Sequence, residues 1–187
     1  MAIINAMVRA LASAGIPPNV LTLIGVIINW EIEDLVKIMI PIEAVFPFGA
    51  NAQDWHIYLG ARRDYGQPVE VDVLGIVTGT GYLMMRGNGI AAFDTGHGSL
   101  PAITGFGVGL GIAASFTWGS KPAGLYLTRG GGMDAVVGFD PFILAGTIWV
   151  AGELRLWIVS IGADAALEAK VAEVDKPGGG TELSLYV

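Results

Sequence analysis

The chain has 187 residues, of which 53% are hydrophobic and only 14% are charged, with no cysteine and a formal net charge of −7. The lack of cysteine excludes disulfides, thiolate nucleophiles and cysteine-ligated metal sites, and the acidic balance argues against nucleic acid and against anionic membrane surfaces. Soluble domains carry about 25% charged residues, so this chain has more apolar surface than one core holds, and we expect a subunit interface, an apolar ligand or a membrane to cover the surplus.

The first segment, residues 1–15, is predicted to be a short amphipathic helix, because apolar residues recur at helical spacing as far as Leu11 and Gly15 ends the pattern. Asn5 and Arg9 interrupt the apolar run that a signal peptide requires, so we expect no signal peptide, and the compartment stays open. The longest apolar run, residues 20–28, is far shorter than the roughly 20 residues of a spanning helix. We therefore expect no transmembrane helix.

From about residue 26 to residue 187 the apolar residues alternate with polar or small ones, as in Val69, Val71 and Val73, which is the period of half-buried strands. No change in composition marks a second domain. The sequence predicts one all-β domain over residues 1–187, an antiparallel meander of long amphipathic strands that forms a barrel or a curved or sandwiched sheet.

A glycine-rich strand between residues 103 and 118 has one bulky face and one nearly bare face. A glycine row suggests that another chain segment lies close by or that the sheet bends, and Trp118 is interpreted as a core residue. The bulky face is our candidate interface or apolar-ligand face; it comprises Phe106, Val108, Leu110, Ile112, Phe116 and Trp118.

The next long strand is predicted over residues 144–158. Trp149, Arg155 and Trp157 fall on the face opposite its aliphatic row. Because aromatic residues and Arg carry much of the energy of interfaces, we add these three to the candidate interface; a second covered core face is the alternative interpretation. Gly130-Gly131-Gly132 lacks the Lys-Ser/Thr ending of a phosphate loop and is interpreted as a turn or bulge.

The stretch Phe93-Asp94-Thr95-Gly96 resembles the catalytic loop of an aspartic protease, which needs two such carboxylates. The chain has no second copy of the motif, so Asp94 remains a remote candidate that only a homodimer could complete, and a turn is the favoured interpretation. His56 and His97 lack metal-ligand spacing, and no catalytic serine elbow occurs. We therefore expect a protein that is not an enzyme and has no metal or cofactor.

Three stretches, TGYLMMRGNGI, GFGVGLGIAASFTWGSKPAGLYL and GFDPFILAGTIWVAGELRLWIVSIGADAALEAKV, carry a resemblance. Over about residues 26–172 the chain resembles a domain of unknown function that recurs in very long β-rich bacterial proteins. The resemblance implies an extended, non-catalytic β scaffold in which FDTGHGSL is a variable loop, although this chain is far shorter than the usual members.

Three functions remain open. The first hypothesis is a structural module that buries its surplus apolar surface against copies of itself in a homo-oligomer or filament. The second is a carrier that holds lipid or another apolar ligand in a curved sheet, and the third is a membrane-inserting barrel, which needs aromatic girdles. In the third case the charged residues of the later strands would have to face a lumen.

Overall fold

A computed structural model describes residues 22–32, 35–47, 49–177 and 179–187. The predicted helix over residues 1–15 lies outside them. The described residues contain twelve strands and one 3-10 helix, Gly49–Asp54. The strands are β1 (Thr22–Ile32), β2 (Val36–Val45), β3 (His56–Leu59), β4 (Val69–Val73), β5 (Val77–Arg86), β6 (Phe93–Asp94), β7 (Ser99–Leu100), β8 (Gly107–Ser120), β9 (Leu125–Phe139), β10 (Phe142–Leu156), β11 (Val159–Asp175) and β12 (Thr181–Tyr186).

Ten of these strands form one antiparallel sheet in the order β1-β2-β3-β5-β8-β9-β10-β11-β12, and β4 lies in line with β3 because both pair with β2 and β5. The other two, β6 and β7, form a separate hairpin. Within the described residues β1 and β12 are the two edges of the sheet, each paired on one side only. The predicted all-β antiparallel meander of long strands is confirmed.

The register of the four longest strands fixes which side chains share a face. Ile112 pairs with Met133, Met133 with Ile148 and Ile148 with Leu167, across β8, β9, β10 and β11. Because successive side chains of a strand point to opposite faces, these four residues stand in one row on one face. Their strand neighbours stand on the other face.

That other face is covered in its middle by two connecting segments, residues 60–68 and 87–106, which we call the cap. Leu100 and Ile103 of the cap are buried against Val136 of β9 and Ala145 of β10. The 60–68 segment adds a second buried cluster, in which Ala61 packs with residues of β3 and β5. We call this side of the sheet the cap face and the opposite side the bare face.

The glycine row of β8 lies on the cap face. A Cβ at Gly107 would meet the side chain of Ile103 at 2.8 Å, and one at Gly111 would collide with the ring of Tyr82. The row is therefore needed because cap and neighbouring side chains, rather than another backbone, occupy the space above it.

The prediction that Gly130-Gly131-Gly132 is a turn or bulge is wrong. The three glycines lie inside β9 and pair with β8 and β10 throughout. A Cβ at Gly132 would stand 2.7 Å from the carbonyl oxygen of Ile112 and 2.9 Å from Nε1 of Trp149, so the backbone of β8 and the indole of β10 together explain why glycine occupies this position.

Candidate functional site

Charge is segregated between the two faces of the sheet. From β2 to β10 the only charged residue on the bare face is Arg129, which pairs with Phe116 and Gly152. All other charged strand residues in this range alternate onto the cap face; they are Lys37, Glu43, Glu70, Asp72, Arg86, Asp134, Glu153 and Arg155. The bare face is therefore apolar from β2 to β10 except for Arg129, and on β11 the charged residues Glu173 and Asp175 lie on it near the strand end.

The bare face is also uncovered. Among the described residues nine hydrophobic side chains are buried, whereas 32 large hydrophobic ones are exposed. Ile112, at the middle of the face, is 61% exposed. A soluble monomer rarely leaves so large a continuous apolar surface in water, so this face is the principal candidate for a binding surface.

Most of the candidate interface residues lie on the bare face. Val108, Leu110, Ile112, Phe116 and Trp118 follow one another at alternate positions of β8. The interpretation of Trp118 as a core residue is wrong, because its side chain is 70% exposed. Periodicity places Trp118 on the correct face, but nothing in the described structure covers that face.

Phe106 precedes β8 and belongs to an aromatic row across one end of the sheet. Its ring stacks 5.7 Å from the ring of Trp55 and 5.2 Å from that of Phe139, and Trp55 stacks 6.3 Å from Phe46. Such stacked pairs contribute about 0.5–1.5 kcal/mol beyond their burial. The row ties together loops and strand ends that are far apart in sequence.

The remaining three candidates do not form the single face that the sequence predicted. Trp149 and Arg155 lie on the cap face of β10, where the imidazole of His97 stacks on Trp149 at 4.2 Å. Trp157 is not in a strand: β10 ends at Leu156, and Trp157 and Ile158 form the turn to β11. The sequence does not predict this turn, because the turn contains neither Gly nor Asn, the residues that normally signal one.

A shallow depression of about 220 Å³ lies at the middle of β9, β10 and β11. On the bare face its lining includes the small residues Ala135, Gly146 and Ala169, with Ile148 and Leu167 beside them. An apolar group fits this depression better than a polar one, since almost all of its lining on this face is hydrocarbon.

A cavity of about 270 Å³ lies on the cap face, between the cap and β5, β8, β9 and β10. Inside it the hydroxyl of Tyr82 donates a hydrogen bond to Oδ1 of Asp134 at 2.7 Å. Burial, and then this hydrogen bond, raise the pKa of Tyr82. The hydroxyl therefore stays protonated at physiological pH and serves as a donor.

Two charged residues of the cap, Arg62 and Arg63, line this cavity, and Arg62 is the more closely engaged with its neighbours. It pairs with Asp64, and the centre of its guanidinium lies 3.5 Å from the ring centre of Phe93. Its Nη1 is buried with no hydrogen-bond partner in the described residues, next to the aromatic ring that stabilises the cation. These polar groups are engaged with one another, so we assign the cluster to attachment of the cap.

Asp94 forms a turn in the cap. Its Oδ1 accepts a hydrogen bond from the backbone N–H of Gly96 at 2.6 Å, and the side chain is exposed at the β6–β7 hairpin. This is the hydrogen-bonding role that turn residues usually play. FDTGHGSL thus closes a hairpin whose Leu100 is buried against the sheet.

His56 is engaged in a structural pair. Its Nε2 lies 2.9 Å from Oε1 of Glu43, and its ring stacks on Tyr58. The described residues contain no group of three or more His, Asp or Glu side chains that could hold a metal ion. In the same residues, no helix is long and apolar enough to cross a membrane.

The cap is the functional element that sequence reasoning missed. Its contacts come from isolated apolar residues, Ile90, Leu100 and Ile103, without any regular period. The only local signal is the glycine row, which marks the surface that the cap covers.

Comparison of the chain with family models, with curated proteins and with solved structures finds no match.

Proposed function

We propose that this protein is a non-catalytic, self-assembling β module in which a second copy of the chain covers the bare face. The observation that carries the proposal is the extent of that face, which is apolar from β2 to β10 except for Arg129. The six strand positions from β2 to β10 span roughly 25 Å at the usual strand spacing, within a sheet of nine positions. A single small ligand is too narrow to cover such a surface, whereas a second sheet of the same size covers it fully.

The energetics are compatible with association. Full burial of a Val, Leu or Ile side chain contributes about 1.5–3 kcal/mol, so one that is already half exposed gains about 1 kcal/mol when covered. Association costs about 4–15 kcal/mol in lost freedom of motion. A dozen such side chains from two copies, of the kind seen at Ile148, Val150 and Ile161, are enough to offset that cost.

Two adjacent residues of β11 provide a matched test. Ala165 pairs with Val150 on the bare face, Ala166 pairs with Trp149 on the cap face, and both are exposed in the single chain. Ala165→Glu places a charge within the proposed interface and should raise the dissociation constant of the oligomer at least tenfold. The native mass should then fall from that of the oligomer to that of the monomer. Ala166→Glu should leave the mass of the wild-type assembly unchanged. A wild-type protein that is monomeric at high concentration, or equal effects of the two variants, contradicts the proposal.

A carrier of lipid or another apolar ligand is the second candidate, and the depression beside Gly146 favours it. Its volume of about 220 Å³ and hydrocarbon lining suit part of an acyl chain. The measurement is an organic extract of purified protein analysed for lipid, alongside the native mass. A monomer that carries lipid, and loses it when Ala169→Phe fills the depression, supports the carrier over self-assembly. An oligomer free of lipid supports self-assembly.

A further inference from the structure

The turns at one end of the sheet carry unusual residues. Backbone hydrogen bonds connect them: Leu74 N–H donates to Leu35 O at 2.9 Å, Thr117 N–H to Ile76 O at 2.7 Å, and Trp157 N–H to Gly124 O at 2.7 Å. Turns are ordinarily built from Gly, Pro, Asn, Asp and Ser. Here Leu35, Leu74 and Ile76 are exposed, and in the β10–β11 turn Trp157 is 71% and Ile158 is 98% exposed.

Backbone geometry singles out the same end. Leu74 and Trp157, with φ of 57° and 53°, are the non-glycine residues with positive φ in the described parts of the chain. Bulky residues avoid this conformation, and two-residue hairpins usually place glycine, asparagine or aspartate there. Strain of this kind is a reason to look for a function, since the fold alone would be better served by glycine at both positions.

The β8–β9 and β10–β11 hairpins also carry positive charge at this end. We call their turns and adjoining strand ends, residues 118–129 and 152–159, the hairpin tip. Lys121, Arg129 and Arg155 belong to it, and in the described residues none of the three forms an ion pair. The tip has one carboxylate, Glu153, which accepts hydrogen bonds from Tyr126 and Ser160.

The hairpin tip therefore has a net charge of the opposite sign to the whole chain, which carries −7. Apart from Glu153, the acidic residues described at this end of the sheet, Glu31 and Asp72, belong to the other half, on the β1–β5 side. Among the turns that the structure describes at this end, only those of the β8–β11 half combine exposed aromatic and aliphatic residues with basic residues that form no ion pair. Arg155 Nε donates to the Trp157 carbonyl oxygen at 3.4 Å, and Lys121 Nζ lies 6.0 Å from the centre of the Tyr126 ring.

We propose that the hairpin tip docks on an anionic lipid surface. Indole rings favour the boundary between hydrocarbon and water, so Trp157 and Ile158 enter the headgroup region. Such insertion reaches about 5–10 Å into the boundary. Arg155 lies two residues before Trp157, or roughly 7 Å along the strand, so its guanidinium group reaches the lipid phosphates. Arg129 pairs with Gly152, five residues before Trp157, and adds positive charge roughly 16 Å from the turn. The tip shares Trp118 and Arg129 with the bare face, but the inserting residues Trp157 and Ile158 lie in the turn, so this docking goes beyond self-assembly.

The experiment measures co-flotation of the full chain with vesicles of phosphatidylcholine alone and of phosphatidylcholine with one-third phosphatidylglycerol. We expect binding to the anionic vesicles, weakened by salt. The test variant carries Trp157→Gly and Ile158→Asn together, which gives the turn a glycine at its positive-φ position and so should not impair folding. It should lose at least tenfold in vesicle binding with an unchanged or higher Tm.

Two further variants locate the effect. Each Lys or Arg near an anionic surface contributes about fivefold in binding, so Lys121→Gln with Arg155→Gln should lower binding to anionic vesicles about 25-fold. Leu183→Asn removes an exposed apolar side chain at the opposite end of the bare face and should bind as the wild type does.

Three results overturn the docking proposal: no binding of the wild type to either vesicle, equal binding of the Trp157→Gly/Ile158→Asn variant, or an equal loss in Leu183→Asn, which would mean that general hydrophobicity drives binding. A change in native mass in the tip variant without any vesicle binding identifies the tip as a contact between copies instead.

Discussion

Adding a single methyl group to the glycine row of β8 should measurably weaken the fold. In Gly111→Ala the new Cβ would stand 2.5 Å from Oδ1 of Asp134 and inside the contact distance of the Tyr82 ring. Overpacking of this kind costs about 1–3 kcal/mol. The alanine also removes about 0.4–1 kcal/mol of unfolded-state entropy, which opposes the loss, so we expect a net decrease of about 1–2 kcal/mol in the free energy of unfolding.

Gly162→Ala is the matched control. Gly162 is also inside a strand, but a Cβ there would meet its nearest atom, the carbonyl oxygen of Gly152, at an ordinary 3.6 Å. Without a clash only the entropic term remains, so this variant should be more stable than the wild type by about 0.5 kcal/mol. Both changes in the free energy of unfolding are measured by urea unfolding at one fixed protein concentration. They are calculated from the shift in the midpoint urea concentration, with the dependence of the unfolding free energy on urea unchanged.

The cause of the Gly111 effect can be isolated in a Tyr82→Ala background. Removing the ring removes the main obstacle, so Gly111→Ala should then cost less than about 0.5 kcal/mol. If Gly111→Ala is as stable as the wild type, or if its cost is the same with and without Tyr82, the packing explanation of the glycine row is wrong.

Two further predictions concern the faces of the sheet and its pH dependence. Val136 is fully buried beneath the cap and Val150 lies exposed on the bare face. Val136→Ala should therefore lower the free energy of unfolding in urea by about 2–3 kcal/mol, and Val150→Ala should lower that of the dissociated chain by less than about 0.5 kcal/mol. Equal losses would refute the assignment of the faces. The pKa of Glu173 is lowered because the Thr181 hydroxyl and the Phe142 backbone N–H donate to its carboxylate, so its contribution to stability is present above its ordinary pKa and is lost as pH falls through the lowered value. Glu173→Gln should therefore flatten the decline in Tm below about pH 4.5, and an identical decline in the variant would exclude this contribution.

Residue periodicity was sufficient to predict the strands and to group their side chains by face. Val108, Leu110 and Ile112 share a face because the period of a strand is two whatever surrounds it. Which face is covered depends on the cap, whose buried residues Leu100 and Ile103 come from a segment without a period. This is why the bulky row could be assigned from sequence, whereas the exposure of Trp118 could not.

The two local errors have a common cause. Gly130-Gly131-Gly132 looks like a turn because glycine has low strand propensity, but the three residues pair with β8 and β10 on both sides, and the Ile112 carbonyl oxygen and the Trp149 indole leave no room for a side chain at Gly132. Trp157-Ile158 looks like a strand because both residues have high strand propensity, yet they form the β10–β11 turn. In both cases the conformation depends on residues that are not neighbours in the sequence. At the β10–β11 turn the exposed side chains of Trp157 and Ile158 make no contribution to the core of the fold.

The two proposed surfaces are separable, and this allows each to be tested without the other. The bare face is a side of the sheet, whereas Trp157 and Ile158 project from its turns, so a second copy packed on the bare face leaves the turns accessible. Ala165→Glu should change the native mass while retaining vesicle binding, and Trp157→Gly with Ile158→Asn should do the reverse. If either variant alters both measurements to the same degree, the two surfaces act as one, and the apolar surplus of the chain serves a single partner.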